Sequence, residues 1–170
     1  IYATTVRAWE GDYAVRMRGF WAMPGETNVW SWNNLQQQVP CVSGETLRVQ
    51  GRVFIGKLQQ SGTNWLRCGI KMESTNETGR TAHGQEFDGT YATGVWLNVD
   101  FERLAPVDGT DQLLLWVAGY DCTGADVFFD DIKVMSTNTG LVVTNRIRNG
   151  YWEGDAPVDV SGHDVLAFQV

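Results

Sequence analysis

The chain has 170 residues, 43% of them hydrophobic, and 13 basic against 20 acidic side chains give it a net charge of -7. That length makes one domain with room for a substantial core. The acidic balance argues against a nucleic-acid partner, whose binders carry a basic stripe, and no apolar run approaches the roughly 18 residues of a membrane span. Eight Trp, five Tyr, seven Phe and 19 Gly beside four Pro favour strands joined by turns over helices. A start without Met, in a stretch that does not begin a signal peptide, reads as an excised or processed piece.

Period-two alternation appears early. In YAVRMRG, Tyr13, Val15 and Met17 share one face, with Arg16 and Arg18 on the other. Residues 19–34, GFWAMPGETNVWSWNN, interrupt this as a long polar-aromatic excursion carrying Trp21, Trp30 and Trp32. Long loops in compact domains are usually functional or disordered. Trp30 and Trp32 straddle Ser31, so an extended backbone points both to one side.

The next strand, LRVQGRVFIG, sends Leu47, Val49, Val53 and Ile55 inward, opposite Arg48, Gln50, Arg52 and Phe54. WLRCGIKMES sets Leu66, Cys68, Ile70 and Met72 against Trp65, Arg67, Lys71 and Glu73. Asn76-Glu77-Thr78 is a glycosylation sequon, a tripeptide that also arises by chance. AHGQEFDGTY places His83, Glu86 and Asp88 in one expected loop. GVWLNVDF sets Val95, Leu97, Val99 and Phe101 against Trp96, Asn98 and Asp100. QLLLWVAGY sets Leu113, Leu115 and Val117 against Leu114, Trp116 and Tyr120.

DVFFDDIKVM carries two adjacent carboxylates in an apolar strand. Strict alternation puts Asp130 on the face of Phe128, Ile132 and Val134, and Asp131 with Val127, Phe129 and Lys133. A carboxylate among core residues is costly unless it is hydrogen-bonded, paired or bound to a cation. Beyond Met135 the tail holds two more strand-like pieces, Leu141–Ile147 and Asp164–Val170.

No stretch of a dozen residues sustains a helical period, and turn signals separate the strands. The fold expected from the residues is therefore an all-β, two-sheet antiparallel sandwich over residues 1–170, its tail 136–170 completing it. Cys41, Cys68 and Cys122 cannot all pair, and none has zinc-ligand spacing. A Cys41–Cys122 bridge is open to an extracellular chain. Cys68 reads as a buried small hydrophobe.

Several of these stretches together resemble the jelly-roll carbohydrate-binding modules grouped with families four and nine. GDYAVRMRG, LQQQVPCVSGETLRVQGRVFIG with its Ser43-Gly44-Glu45 turn, and the closing run from GVWLNVDF to VFFDDIKVM follow that group's order over residues 9–135. Two departures stand out. The family's Tyr and Trp positions hold Leu47 and Arg52, and its opening strand has no counterpart before residue 9 unless the first eight residues or 141–154 supply one. The resemblance implies a jelly roll and a non-catalytic, extracellular module. Such a module binds a polysaccharide and keeps a glycoside-active catalytic domain of the same parent protein near it. It also implies a structural calcium held by Asp130 or Asp131, since Ca²⁺ takes six to eight oxygen ligands.

Sugar recognition needs planar aromatics for the C–H faces of pyranose rings and polar forks for the hydroxyls. The excursion offers Trp21, Trp30 and Trp32. One outward face is expected to gather Gln50, Arg52, Trp96, Asn98 and Trp116. Catalysis has little to work with: acids spaced E-x-D-x-E are absent, EFDGT fails at its third position, and there is no G-x-S-x-G or HExxH. The competing reading is a structural or adhesive sandwich domain of an extracellular protein, its Trp residues used only for packing.

Overall fold

The computed structural model describes residues 2–4, 7, 9, 14–18, 30–58, 65–76, 79–105, 109–120 and 124–137. Among them run nine strands: β1 (Tyr2–Thr4), β2 (Ala14–Arg18), β3 (Trp30–Cys41), β4 (Thr46–Leu58), β5 (Leu66–Asn76), β6 (Gly79–Asp88), β7 (Trp96–Leu104), β8 (Gly109–Tyr120) and β9 (Ala125–Ser136). One sheet is ordered β1-β2-β9-β4-β7 and the other β3-β8-β5-β6, with antiparallel neighbours throughout. No α-helix occurs among the described residues. This is the expected jelly-roll sandwich.

Alternation builds the core as the sequence anticipates. Leu47, Val49, Val53 and Ile55 from β4, Leu66, Cys68, Ile70 and Met72 from β5, and Leu113, Leu115 and Val117 from β8 are wholly buried in one cluster between the sheets. Burying such a side chain contributes about 1.5–3 kcal/mol, more than the roughly 0.5–1.5 kcal/mol net of a hydrogen bond. A one-residue slip would forfeit the burial of a whole strand, so the apolar pattern sets the register. Burial also pushes the Cys68 thiol far above its usual range. The turn from β3 to β4 is Val42–Glu45: Glu45 N–H reaches the Val42 carbonyl at 2.9 Å, and Gly44 supplies the positive φ of 79°.

The two aspartates of β9 break the expected alternation. Gln50 pairs with Lys133 and Arg52 with Asp130, so Asp131 and Ile132 together oppose Gly51. Asp131 has φ 50°, which makes this a β-bulge with a left-handed residue. The bulge switches faces: Val127, Phe129, Ile132 and Val134 all enter the core. Asp130 and Phe128 therefore point to the outer face of the five-stranded sheet, not to the face of Ile132 and Val134. Gly51 makes room, since a Cβ there would sit 2.7 Å from Ile132 Cδ1.

A second feature that alternation did not foretell crosses the core. Arg103 of β7 reaches from the five-stranded to the four-stranded sheet, where its guanidinium pairs with the wholly buried Asp111 of β8. It also donates to Ser74 Oγ at 2.8 Å and Thr81 Oγ1 at 3.2 Å.

Other expectations need adjusting. The excursion ends earlier than drawn, because residues 30–34 already belong to β3. His83, Glu86 and Asp88 lie on strand β6, not in a loop, since residues 79–88 pair along β5. Val95 is exposed, ahead of the first residue of β7. A short strand, β1, does precede residue 9, paired to β2. Cys41 is buried where β3 faces Gly109, at the opposite end of that strand pair from Tyr120. Trp21, Cys122 and the tail pieces Leu141–Ile147 and Asp164–Val170 fall outside the described residues.

Candidate functional site

On β8 the residues that alternate with the core are Leu114, Trp116 and Ala118, a buried cluster on the outer face of the four-stranded sheet. β3 flanks it on one side, with Trp30 opposite Tyr120, Trp32 opposite Ala118 and Asn34 opposite Trp116. β5 flanks it on the other, with Gly69 opposite Trp116 and Lys71 opposite Leu114. A Cβ on Gly69 would collide with the Gln85 carbonyl of β6, so glycine allows β6 its close approach.

Four indoles fill this face as a column. Trp30 stacks on Trp65 at 5.2 Å and 19°, Trp65 on Trp116 at 6.2 Å and 12°, and Trp116 on Trp32 at 5.1 Å and 11°. Offset stacks at these separations each add about 0.5–1.5 kcal/mol beyond area burial. Lys71 closes one end, its ammonium 4.5 Å from the Trp32 centroid. Tyr120 meets Trp30 edge-on at the other, 5.1 Å away.

Trp65 is placed by backbone. Tyr120 N–H donates to the Trp65 carbonyl at 2.9 Å, and Gly119 adopts φ 151° beside it. A Cβ on Gly119 would collide with that carbonyl oxygen, so only glycine allows the approach.

Stacking uses up the inner ring faces. Trp116 is 1% exposed, whereas Trp30 keeps 48% and Tyr120 38% of their surface in solvent. Polar groups line the rim: Arg67 pairs with Glu86 at 2.9 Å and Lys71 with Glu73 at 2.8 Å. Asp88 Oδ1 accepts the Thr90 hydroxyl at 2.6 Å and its N–H at 2.9 Å, which holds the carboxyl below the usual carboxylate range. Trp116 Nε1 and Arg67 Nε are buried N–H donors with no acceptor among the described residues.

The outer face of the five-stranded sheet differs in character. Trp9, Trp96, Phe54 and Phe128 meet there edge to face. Beside them an open depression of about 220 Å³ is lined by polar groups, among them Gln50, Arg52, Asn98 and Asp100. Arg48 binds Asp100 through two bonds of 2.8 and 2.6 Å, and Gln50 donates to the same carboxylate at 3.2 Å. Those hydrogen bonds, the Arg48 pair foremost, hold the Asp100 carboxyl below its ordinary range.

No family model matches this sequence, and no curated protein matches it. Solved structures do. The CBM22-1 xylan-binding domain of Paenibacillus barcinonensis Xyn10C aligns with TM-score 0.52 and 14% identity over 81% of each chain. The C-terminal family 22 carbohydrate-binding module of Clostridium thermocellum Xyn10B aligns with TM-score 0.53 and 14% identity over 82% of each. A family 16 carbohydrate-binding module aligns with TM-score 0.50 and 15% identity over 78% of this chain and 82% of its own. The fold is that of the jelly-roll carbohydrate-binding modules. These neighbours carry the labels of families 22 and 16 rather than four or nine, and at such identities the likeness speaks for the fold alone.

On this module fold the candidate residues separate onto two opposite faces. Trp30, Trp32 and Trp116 come together in the column. Gln50, Arg52, Trp96 and Asn98 lie on the other sheet, so the single outward face expected to unite them with Trp116 does not exist. Periodicity says which side of its own strand a residue occupies; it does not say in which sheet that strand lies. Trp65 completes the column although its role was not legible. Its one sequence signal is its place in the alternation opposite Leu66.

The aspartates form a third locus. Asp130 is wholly buried, accepting the Trp9 N–H at Oδ2 and the Asp131 N–H at Oδ1, both at 2.7 Å. Asp131 Oδ1 faces Lys133 Nζ at 2.8 Å. Carboxylate oxygens are the hard ligands that suit calcium. Among the described residues no three His, Cys, Asp or Glu side chains converge as a metal site.

Proposed function

We propose that this domain is a non-catalytic carbohydrate-binding module whose polysaccharide ligand lies across the outer face of the four-stranded sheet. The observation that carries the proposal is the indole column, which ends in exposed Trp30 beside exposed Tyr120. Trp30 and Tyr120 offer ring surface to pyranose C–H groups. The ring edges of Trp65 and Trp32, with the paired Arg67–Glu86 and Lys71–Glu73 forks, supply the polar rim. Because two of the structural neighbours are described as binding xylan or as family 22 modules, xylan heads the ligand panel.

The acids on this face support a binding role over a hydrolytic one. Glycoside hydrolysis needs one carboxyl kept protonated as a proton donor. Glu73 and Glu86 are each ion-paired, and Asp88 is held ionised by Thr90. A module of this kind acts from outside the cell, raising the effective concentration of a linked glycoside-active domain at its polymer.

The calcium implied by the resemblance belongs to this proposal. Asp130 or Asp131 would be its side-chain ligand.

Affinity electrophoresis on xylan, glucans and mannans tests the reading. Retardation by one class is expected, with Trp30→Ala weakening it roughly ten- to a hundredfold, as for a central aromatic anchor. The rival, a structural sandwich domain, draws on the fact that the indoles cover one another. It gains if no polymer retards the protein, or if Trp30→Ala leaves the retardation unchanged.

A further inference from the structure

The five-stranded sheet carries an arrangement that the ligand face does not use. Arg52 of β4 lies over the Trp9 indole, its guanidinium carbon 4.3 Å from the ring centroid. That stack orients a planar fork of five donors, none of which is taken by a hydrogen bond or ion pair among the described residues. Trp9 is itself 48% exposed. The depression of about 220 Å³ shares Arg52 with that stack and is lined also by Gln50, Asn98, Asp100, Asp131 and Lys133. That volume falls below the roughly 300–1,000 Å³ of pockets for drug-sized ligands and suits a single sugar ring.

Charge selects the ring. Asp100 is neutralised by the two-bond Arg48 pair and by Gln50, and Asp131 by Lys133. Asp130, across the ladder from Arg52, is buried and accepts the Trp9 and Asp131 N–H groups. Among the described residues no carboxylate pairs with Arg52, whose side chain lines the depression. A guanidinium stacked on an indole pairs with a carboxylate through two parallel bonds, a geometry that lysine cannot reproduce. Exposed Asn98 and half-exposed Gln50 provide amides for ring hydroxyls.

We propose that this depression is a second glycan site, specific for a uronic acid residue, with Arg52 on its carboxylate and Trp9 against its ring. It faces away from the indole column, so its occupancy is independent of the ligand proposed there. The net charge of -7 opposes an anionic ligand over long range. Screening over about 8 Å at physiological ionic strength confines that repulsion, and the local acids are already paired.

The test is titration of the intact domain with trimers of galacturonate, glucuronate, mannuronate and guluronate, and with their carboxyl-reduced neutral forms. The readout is the Trp9 indole N–H resonance. One acidic trimer is expected to saturate and its reduced form to bind at least tenfold more weakly. Arg52→Ala should weaken the acid roughly ten- to a hundredfold, Arg52→Lys should restore only part of this, and Trp30→Ala should have no effect. The Gln50→Ala/Asn98→Ala double variant leaves the Arg52–Trp9 stack intact and should also weaken the acid, which covers the case in which Arg52→Ala disturbs folding. The proposal is overturned if no acidic trimer saturates, if the reduced form binds equally well, or if Trp30→Ala rather than Arg52→Ala abolishes the signal. A neutral xylo-oligosaccharide lost on Trp30→Ala and kept on Arg52→Ala reports on the other face alone.

Discussion

The Trp9 backbone N–H donates to Asp130 Oδ2 at 2.7 Å, joining residues 121 positions apart. The second oxygen takes the Asp131 N–H at the same distance. The buried carboxylate is thus a clasp that holds the front of the chain against its last described strand. Burying it is tolerable because charge-assisted bonds replace water. Asp130→Asn keeps the shape but turns an amide NH₂ toward one of the two N–H donors. Leaving that donor unmet costs about 1–3 kcal/mol, and each kcal/mol lowers Tm by roughly 2–4 °C in a chain of this size. Thermal denaturation should show that fall, with a red shift of Trp emission as Trp9 loosens. An unchanged Tm would mean that the clasp contributes nothing net.

If calcium completes the same locus, stability becomes metal-linked. A ligand that binds only the folded state stabilises it by RT ln(1 + [L]/Kd), about 2.7 kcal/mol at a hundred times Kd. Chelation should then lower Tm by roughly 5–10 °C, and added Ca²⁺ should restore it in the wild type but not in Asp130→Ala. A melting curve indifferent to chelator would mean that calcium contributes nothing at Asp130.

Arg103 and Asp111 test a different balance. Removing one member of a buried pair strands the other charge, at about 3–5 kcal/mol. Asp111→Ala should therefore be among the most damaging single changes in the domain. Arg103→Met combined with Asp111→Leu removes both charges, and urea denaturation should find it closer to wild type than either single change. If the double variant were the least stable of the three, the bonds from Arg103 to Ser74 and Thr81 would carry more than the charge pair does.

Period two placed nearly every core side chain of β4, β5 and β8 correctly, because burial of a whole face outweighs other terms there. It failed at Asp130, where one left-handed residue inserts a bulge and exchanges the faces of the strand. Nothing in the letters DD signals that, since Asp is merely more tolerant of positive φ than most residues. The candidate site was half legible. Trp30, Trp32 and Trp116 could be named from their alternation, but their meeting with Trp65 depends on strand order. Strand order comes from long-range pairing that a local pattern does not encode.

Asp100 gives a pH dependence with a definite sign. Its folded pKa lies below the unfolded value near 3.9, foremost through the Arg48 hydrogen bond. The stabilisation is therefore present above about pH 4 and disappears as pH falls through the lower folded value. NMR titration of the side-chain carboxyl should give a midpoint below that of a model peptide. Arg48→Gln should move it up toward the ordinary value. Stability at neutral pH should barely change, because the pair is exposed.

The indole column rests on Gly119. At φ 151° it lets the Trp65 carbonyl approach and accept the Tyr120 N–H at 2.9 Å, which seats the Trp65 ring between Trp30 and Trp116. Gly119→Ala puts a Cβ against that carbonyl oxygen. Overpacking of this kind costs typically 1–3 kcal/mol, and relief requires β5 and β8 to part at this end. Near-UV circular dichroism should lose the exciton signal of closely stacked indoles, and polysaccharide affinity should fall along with it. Trp65→Phe preserves an aromatic plane at the same position and should keep more of both. If the exciton signal collapsed while affinity held, the column would be packing alone, and recognition would belong to Trp30, Tyr120 and the charged rim.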